Sequence, residues 1–572
     1  MNNAYFTKTG RKSVLTIICL TVCLLNLSLF TTTATASGKD LSAQEIKRLG
    51  EKMYREGLLP SGEPIKAFVT GDVPVDGTSF TCISCHLRSG MGSIEGEVIT
   101  PPTNGNTLYK QRKPYIEGSV FVPIIHNYAV YLPERPAYTD ETLASLLVTG
   151  YDPTGRSVLD AMPRYEIADR DMEIMIAYLK TLSDKPAPGV TKDHIKFATV
   201  IVEGTDPVAV ESMVIPLQYS VNRKNSLAVA SKNNDRVARM GYNMLGDLHS
   251  MTFSLKRWVI SGPPETWREQ LEKYYKEDPV YALLGGISEG TWEPVHRFCE
   301  ENEIPNLFPI VDNPVISDTD WYTQYLSRGI RQEGETAARY LSSMADLFSD
   351  RKVVQIYRET TRGQALADGF RTTWNSRGHA PAVEITLKEN EPFSGLQLQQ
   401  IVARHKPAAL LIWDDDKLLG NVASLVGLST GPGVIIASGV WLGEAIWTIP
   451  EELRGMLQLT YPYRMPHEEI RFDITARKVL EGKPIEDFDP IILRQSFIAQ
   501  EVLGKALMEM RIEYYRDFLL DTIGMFDDSY PPLYERISFG PGQRYASKGC
   551  YIVQLGKGKN PQLEKLTEWV VR

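Results

Sequence analysis

The stretch Lys185-Pro186-Ala187-Pro188-Gly189-Val190 divides this chain. Its prolines lack backbone donors and its glycine is conformationally free, so neither helix nor strand continues through it. Texture differs on the two sides. Before it, apolar residues recur mostly at helical spacing; after it, short apolar runs alternate with helical stretches. A chain of 572 residues also exceeds what one hydrophobic core usually holds. The expected organisation is a leader over 1–36, a small domain over 41–184, a linker over 185–193 and a larger domain over 194–572.

Lys8, Arg11 and Lys12 precede an apolar run from Val14 to Phe30, and Ala34-Thr35-Ala36 follows. That order is a secretory signal peptide, with cleavage expected after Ala36 and a periplasmic mature protein. A lipid anchor at Cys23 and an uncleaved membrane anchor are the alternatives. No later apolar run is long enough to span a bilayer. The formal charge of -9 grows more negative when the leader, which holds no acid, is removed, so no nucleic-acid partner is expected. Export permits a disulfide between Cys299 and Cys550. The plainer expectation is two buried thiols, one in a helix and one in a strand.

Within the small domain, Ser42 and Glu45 have capping-box spacing and open a helix that runs to about Tyr54 and stops at Gly57. Thr139 or Asp140 starts another. Asp169 is expected to cap a third, with Met172, Met175, Ile176, Leu179 and Leu182 on one face. Between them lies Cys82-Ile83-Ser84-Cys85-His86. Two thiols two residues apart can form thioethers to the vinyl groups of one haem c, and the adjacent imidazole can bind its iron. Half a zinc site or a thiol–disulfide pair would use the same cysteines. No second CxxC or His-x3-His follows for zinc, and no strand precedes the motif for a thioredoxin-like unit.

Together these pieces resemble a class I cytochrome c over about 41–184. Gly50 and Tyr54 match the first helix, Met162-Pro163-Arg164-Tyr165 the distal-ligand loop, and Ile176-Ala177-Tyr178-Leu179-Lys180 the last helix. The resemblance implies an all-α domain, covalent haem at Cys82 and Cys85, and His86 and Met162 as the iron ligands. It also implies electron exchange with a redox partner protein. His126 is the rival sixth ligand, and Met91 lies in a tight Gly90-Met91-Gly92 turn. With both axial positions filled, electron transfer rather than oxygen chemistry is expected.

In the larger domain, strands are predicted over 198–202, 256–260, 281–284, 307–310, 352–357, 382–387, 408–413 and 433–437. Helices are predicted over 265–275, 292–301, 334–341, 364–376 and 396–405. Strands alternating with helices give a largely parallel α/β sheet. The order of Tyr281–Gly286, Glu303–Pro309, Val354–Tyr357 with Gly363–Phe370, and Ile537–Tyr545 resembles a type 1 periplasmic binding protein of the leucine/isoleucine/valine-receptor kind. Residues 222–251 read as an insertion. The resemblance implies two lobes around a solute cleft, at the carboxyl ends of the strands. Ser288, Glu289, Asp312, Glu359, Arg362, Asp415 and Trp441 are its expected lining. Amino-acid receptors of this family carry small hydroxyl residues around the ligand. Ser288 could serve as one, but Asp312-Asn313-Pro314 and Thr361-Arg362 occupy the other recognisable turns. A branched-chain amino acid is therefore not the expected solute, and loss of small-molecule binding is the alternative. Asp414-Asp415-Asp416 reads as an acidic turn rather than a metal site.

No nucleophile elbow, Walker loop or zincin motif occurs, so no enzyme is expected. The expected function is electron carriage by an exported monohaem cytochrome fused to a solute-binding-like domain. One alternative is a periplasmic receptor for a small, amino-acid-like solute, serving transport through a membrane transporter or sensing, with a redox input from its haem. Another is the electron-accepting subunit of a periplasmic oxidoreductase; a membrane-bound electron-transfer complex is a further candidate partner.

Overall fold

The computed structural model describes residues 41–571 except 97, 113–131, 345–351, 429–430, 469–471, 481, 511–512 and 541. The leader, with Cys19 and Cys23, and His126 lie outside the described residues.

The first helix is Ala43–Glu56. Ser42 Oγ accepts the Glu45 N–H at 3.2 Å, but Glu45 pairs with Arg48 instead of completing the box. Gly57, at φ 68°, ends the helix in the left-handed conformation that glycine takes without a Cβ clash. The capping box is complete at Thr139, whose partner is Thr142. The last helix, Asp169–Thr181, has Ala168 at its cap with no side-chain bond. Asp169 instead sits in the first turn, where its charge favours the helix dipole. First and last helices cross at Gly50, where a Cβ would run into Tyr178 Cβ. The Tyr54 and Tyr178 rings then pack 5.6 Å apart.

The small domain is not all-α. Strands Lys66–Val69, Val73–Asp76 and Arg164–Glu166 form an antiparallel sheet, and Ser93–Glu95 pairs with Val98–Thr100. Each strand is three or four residues long, too short for alternation to separate it from loop. The sheet matters, because Arg164–Glu166 begins two residues after Met162 and fixes that loop against Lys66–Val69.

Beyond the linker stand two α/β lobes. In the first, seven strands order as Ile310–Val311, Ile287–Ser288, His194–Val202, Ala282–Leu284, Asn306–Leu307 and Thr323–Gln324, with Thr252–Ile260 also on His194–Val202. The strand expected over 307–310 is two strands. Phe308, at φ 61°, and Pro309 break it beside the Gly285-Gly286 kink, so the sheet steps sideways at both. In the second, Val383–Leu387, Val353–Arg358, Ala409–Trp413, Val434–Ser438 and Leu457–Tyr461 run parallel, and Gly549–Leu555 adds antiparallel. Ala409–Trp413 is buried throughout, as a strand covered by helices on both faces must be. The expected insertion extends the 27-residue helix Pro207–Asn233 and adds the helix Asp235–Leu245. Cys299 and Cys550 are buried free thiols. Among the described residues, no helix is long and apolar enough to cross a membrane.

The linker is packed, not loose. Ala187 joins the first lobe's core, and Lys196 N–H donates to Gly189 O at 2.8 Å. Met91 enters the same core, so the turn after the CxxCH motif is embedded in the first lobe. The Trp321 ring carries two guanidinium groups over it, Arg88 of that turn at 4.8 Å and Arg544 at 4.3 Å.

Gly50→Ala tests the helix crossing. At an open helical position the change gains about 1 kcal/mol. Overpacking here costs about 1–3 kcal/mol, so we expect a lower thermal unfolding midpoint for the small domain. A raised midpoint would contradict the close approach.

Candidate functional site

Cys82, Cys85, His86 and Met162 line one cavity of about 350 Å³. This lies within the usual size range of small-molecule and cofactor sites, about 300–1,000 Å³. The short helix Ile83–His86 turns both cysteines and the histidine onto it. Met162 reaches the same cavity from the loop leading to strand Arg164–Glu166, where its N–H bonds to Leu159 O at 2.9 Å. Tyr54, Leu146, Met175 and Leu179 supply wall from three helices.

His86 is buried, and its Nδ1 lies 2.8 Å from Pro101 O. A carbonyl only accepts, so Nδ1 carries the proton and Nε2 keeps a lone pair. Nε2 makes no hydrogen bond among the described residues. Burial pulls the imidazole down to about 4, more than the Pro101 bond raises it. It is therefore neutral and competent as a ligand. Burial also pushes the Cys82 thiol up to about 11. Leu87 follows His86 at φ 62° and ψ 174°, a conformation costing a leucine about 1–3 kcal/mol. Its carbonyl is held by Tyr54 OH at 2.8 Å.

One end of the cavity is cationic. Arg112, Arg135 and Arg156 line it, with Asp152 as the acid among the lining residues. Asp152 is taken by Arg156, at 3.0 Å. Arg135 is 2% exposed, bonds to the carbonyls of Leu108 and Pro136, and leaves Nε without a partner. Burial, then the positive charge of Arg112, pulls Arg135 below the usual guanidinium range. Positive charge in excess of acid on the lining of a largely apolar cavity, with Arg135 buried and Arg112 and Arg156 half-buried, suits a flat apolar group with acidic substituents. An iron porphyrin is such a group. Two thiols, a free imidazole nitrogen and a thioether on the same cavity are the donors that haem c needs, so the residues fit it. Met91 does not line the cavity; it is buried in the first lobe's core.

The expected solute-cleft residues scatter. Asp312, after strand Ile310–Val311 of the first lobe, meets Arg362, which opens helix Thr361–Ser376 of the second, at 2.6 Å. The other five do not join them. Ser288 is buried and bonds within its own turn, to Gly290 N and Thr291 O. Glu289 accepts the Asp206 N–H at 3.0 Å, steadying the start of helix Pro207–Asn233. Glu359 is exposed. Asp415 holds Lys417 two residues on, and its neighbour Asp414 takes Arg358 at 2.6 Å. Trp441 packs against the second lobe's core. Ser288, Glu289 and Asp415 share a cause: polar groups at strand ends satisfy nearby backbone first.

Sequence reasoning missed Pro101, Arg112, Arg135 and Arg156 around the first cavity. It also missed Glu333, which is buried beside the lobe junction and accepts from Ser438 Oγ and Thr460 Oγ1 at 3.0 and 2.7 Å. Burial raises its carboxyl to about 7, against those bonds. Among the described residues, no group of three or more His, Cys, Asp or Glu is placed to hold a metal ion.

No family model matches the chain, and no curated protein does. It is similar in structure to an ABC transporter substrate-binding protein from Sphaerobacter thermophilus, with 16% identity and a TM-score of 0.47 over 66% of this chain and 98% of that one. A solute-binding protein from Rhodopseudomonas palustris BisB5 in complex with 3,4-dihydroxybenzoic acid gives 14%, 0.46, 66% and 98% in the same terms. A branched-chain amino acid ABC transporter protein from Thermus thermophilus with bound valine gives 11%, 0.45, 66% and 97%.

Arg362→Ala removes the ion pair between the lobes. We expect a more open molecule, read as a larger radius of gyration in solution scattering. An unchanged radius would show that Asp312 and Arg362 do not hold the lobes together.

Proposed function

We propose that this is an exported one-electron carrier whose small domain holds one haem c, joined to a solute-binding-like domain. The observation that carries the reading is the convergence of Cys82, Cys85, His86 and Met162 on one apolar cavity. Cys82 and Cys85 would hold the porphyrin through thioethers, and His86 Nε2 and Met162 sulfur would bind the iron. When bound, haem c supplies reversible one-electron chemistry, and a neutral thioether ligand favours the reduced state.

The chain's own residues do the rest. Pro101 orients the imidazole through Nδ1. The apolar walls, Tyr54 and Leu179 among them, would shield the bound group from water, which strengthens charge interactions inside. Arg112 and Arg135 offset acidic substituents at the polar end. In this reading the cavity serves electron exchange with a redox partner protein.

A second reading concerns the larger domain. Asp312 and Arg362 stand on opposite lobes, at strand and helix ends where open α/β sheets bind ligands. A small solute with both an acidic and a basic group would replace their pairing, and the receptor could then serve a membrane transporter or sense the solute. The neighbours in structure are substrate- or solute-binding proteins of ABC transporters by their names.

Met162→Ala tests the haem reading. We expect covalent haem to be retained, the sulfur–iron charge-transfer absorption of the oxidised protein to vanish, and the potential to fall. A variant that keeps the band would remove Met162 from the iron.

A further inference from the structure

Asp521 lies on helix Arg516–Gly524 of the first lobe and is 5% exposed. Its Oδ2 accepts the Ser89 N–H at 2.8 Å, joining residues 432 positions apart. Ser89 stands three residues after His86 and is 1% exposed. Its carbonyl accepts Ser183 Oγ at 2.8 Å, and Gly92 N–H returns to His86 O at 3.1 Å. The carboxyl of the larger domain therefore grips the turn that carries the histidine.

Several charged or titratable groups surround it. Asp517, one turn earlier on the same helix, accepts Tyr322 OH at 2.9 Å and lies 3.4 Å from Arg88 Nε and 3.9 Å from Arg55. Arg88 comes from the gripped turn, Arg544 from the crossover between lobes and Tyr54 from the first helix, and the last two feel the charge of Asp521. Burial is the main influence on the carboxyl and raises it to about 7; Asp517 adds to the rise, while the Ser89 and Arg88 bonds oppose it.

Resting on the haem reading above, we propose that Asp521 is a redox-linked proton acceptor, which gains a proton when the haem iron gains an electron. The electron comes from a one-electron protein donor and converts ferric to ferrous iron. The proton comes from solvent and converts the Asp521 carboxylate to the acid, so the buried region keeps its net charge. The cause is electrostatic. An added electron in a low-dielectric interior raises the proton affinity of a nearby carboxylate. Linkage makes the effect reciprocal, so the protonated carboxyl raises the electron affinity of the haem.

The test is redox potentiometry of the full, haem-loaded chain across neutral pH, with reduced-minus-oxidised infrared spectra. We expect the wild-type potential to fall as pH rises, by up to about 59 mV for each tenfold fall in proton concentration. Reduction should also produce a protonated-carboxyl band. Asp521→Asn, whose amide oxygen can still accept the Ser89 N–H, should lose the band and that part of the slope which haem acids do not supply. Asp517→Asn, which removes a like charge, should move the inflection to lower pH. If Asp521→Asn does not fold, the Asp517→Asn shift and the wild-type band decide. Haem present with an unaltered slope in Asp521→Asn, or an unmoved inflection in Asp517→Asn, overturns this inference alone. Wild-type protein without covalent haem overturns the reading beneath it.

Discussion

A neutral imidazole buried in an apolar cavity is the constraint on which the rest depends. Burying His86 with its ring unsatisfied would cost free energy, and the Pro101 carbonyl satisfies only one nitrogen. The other, Nε2, makes no hydrogen bond among the described residues and keeps its lone pair for a ligand. Around that nitrogen the chain arranges two thiols, a thioether and an apolar wall, with cationic groups at one end. The strained Leu87 shows how firmly the turn is held, because such a backbone persists only where neighbours over-determine it.

Those neighbours come from both domains. Tyr54 of the first helix takes Leu87, Asp521 of the larger domain takes Ser89, and Met91 fills the first lobe's core. Arg88 stacks on Trp321, whose other close cation is Arg544 in a segment that crosses between lobes. The small domain is thus tied to the first lobe through the very turn that bears the candidate iron ligand. The second lobe meets the first at Asp312 and Arg362.

The parts of this architecture legible in the sequence are those set by local pattern. Apolar runs such as Ala-Leu-Leu-Ile-Trp marked the second lobe's strands within a residue or two, because a strand covered on both faces has no polar alternation. Cys82, Cys85, His86 and Met162 were legible because their residue types and order carry the chemistry. What stayed hidden depends on distant partners. Short strands such as Lys66–Val69 gain their pairing from Arg164–Glu166, nearly a hundred residues on. Ala168, not Asp169, holds the cap of the last helix, since a good capping residue can equally serve in the first turn. The break at Phe308 needs the adjoining Gly285-Gly286 kink to make sense. Of the expected cleft residues, only Asp312 and Arg362 meet, because fold position places a residue near a cleft but does not decide what its side chain bonds to.

Mass analysis of the tryptic peptide containing Cys82 to His86 is the most direct check, using mature protein from cells able to attach haem c. The account predicts a peptide heavier by one iron porphyrin, bonded through both sulfurs and resistant to acid–acetone extraction. A peptide of unmodified mass with two free thiols, from protein made in such cells, would contradict it.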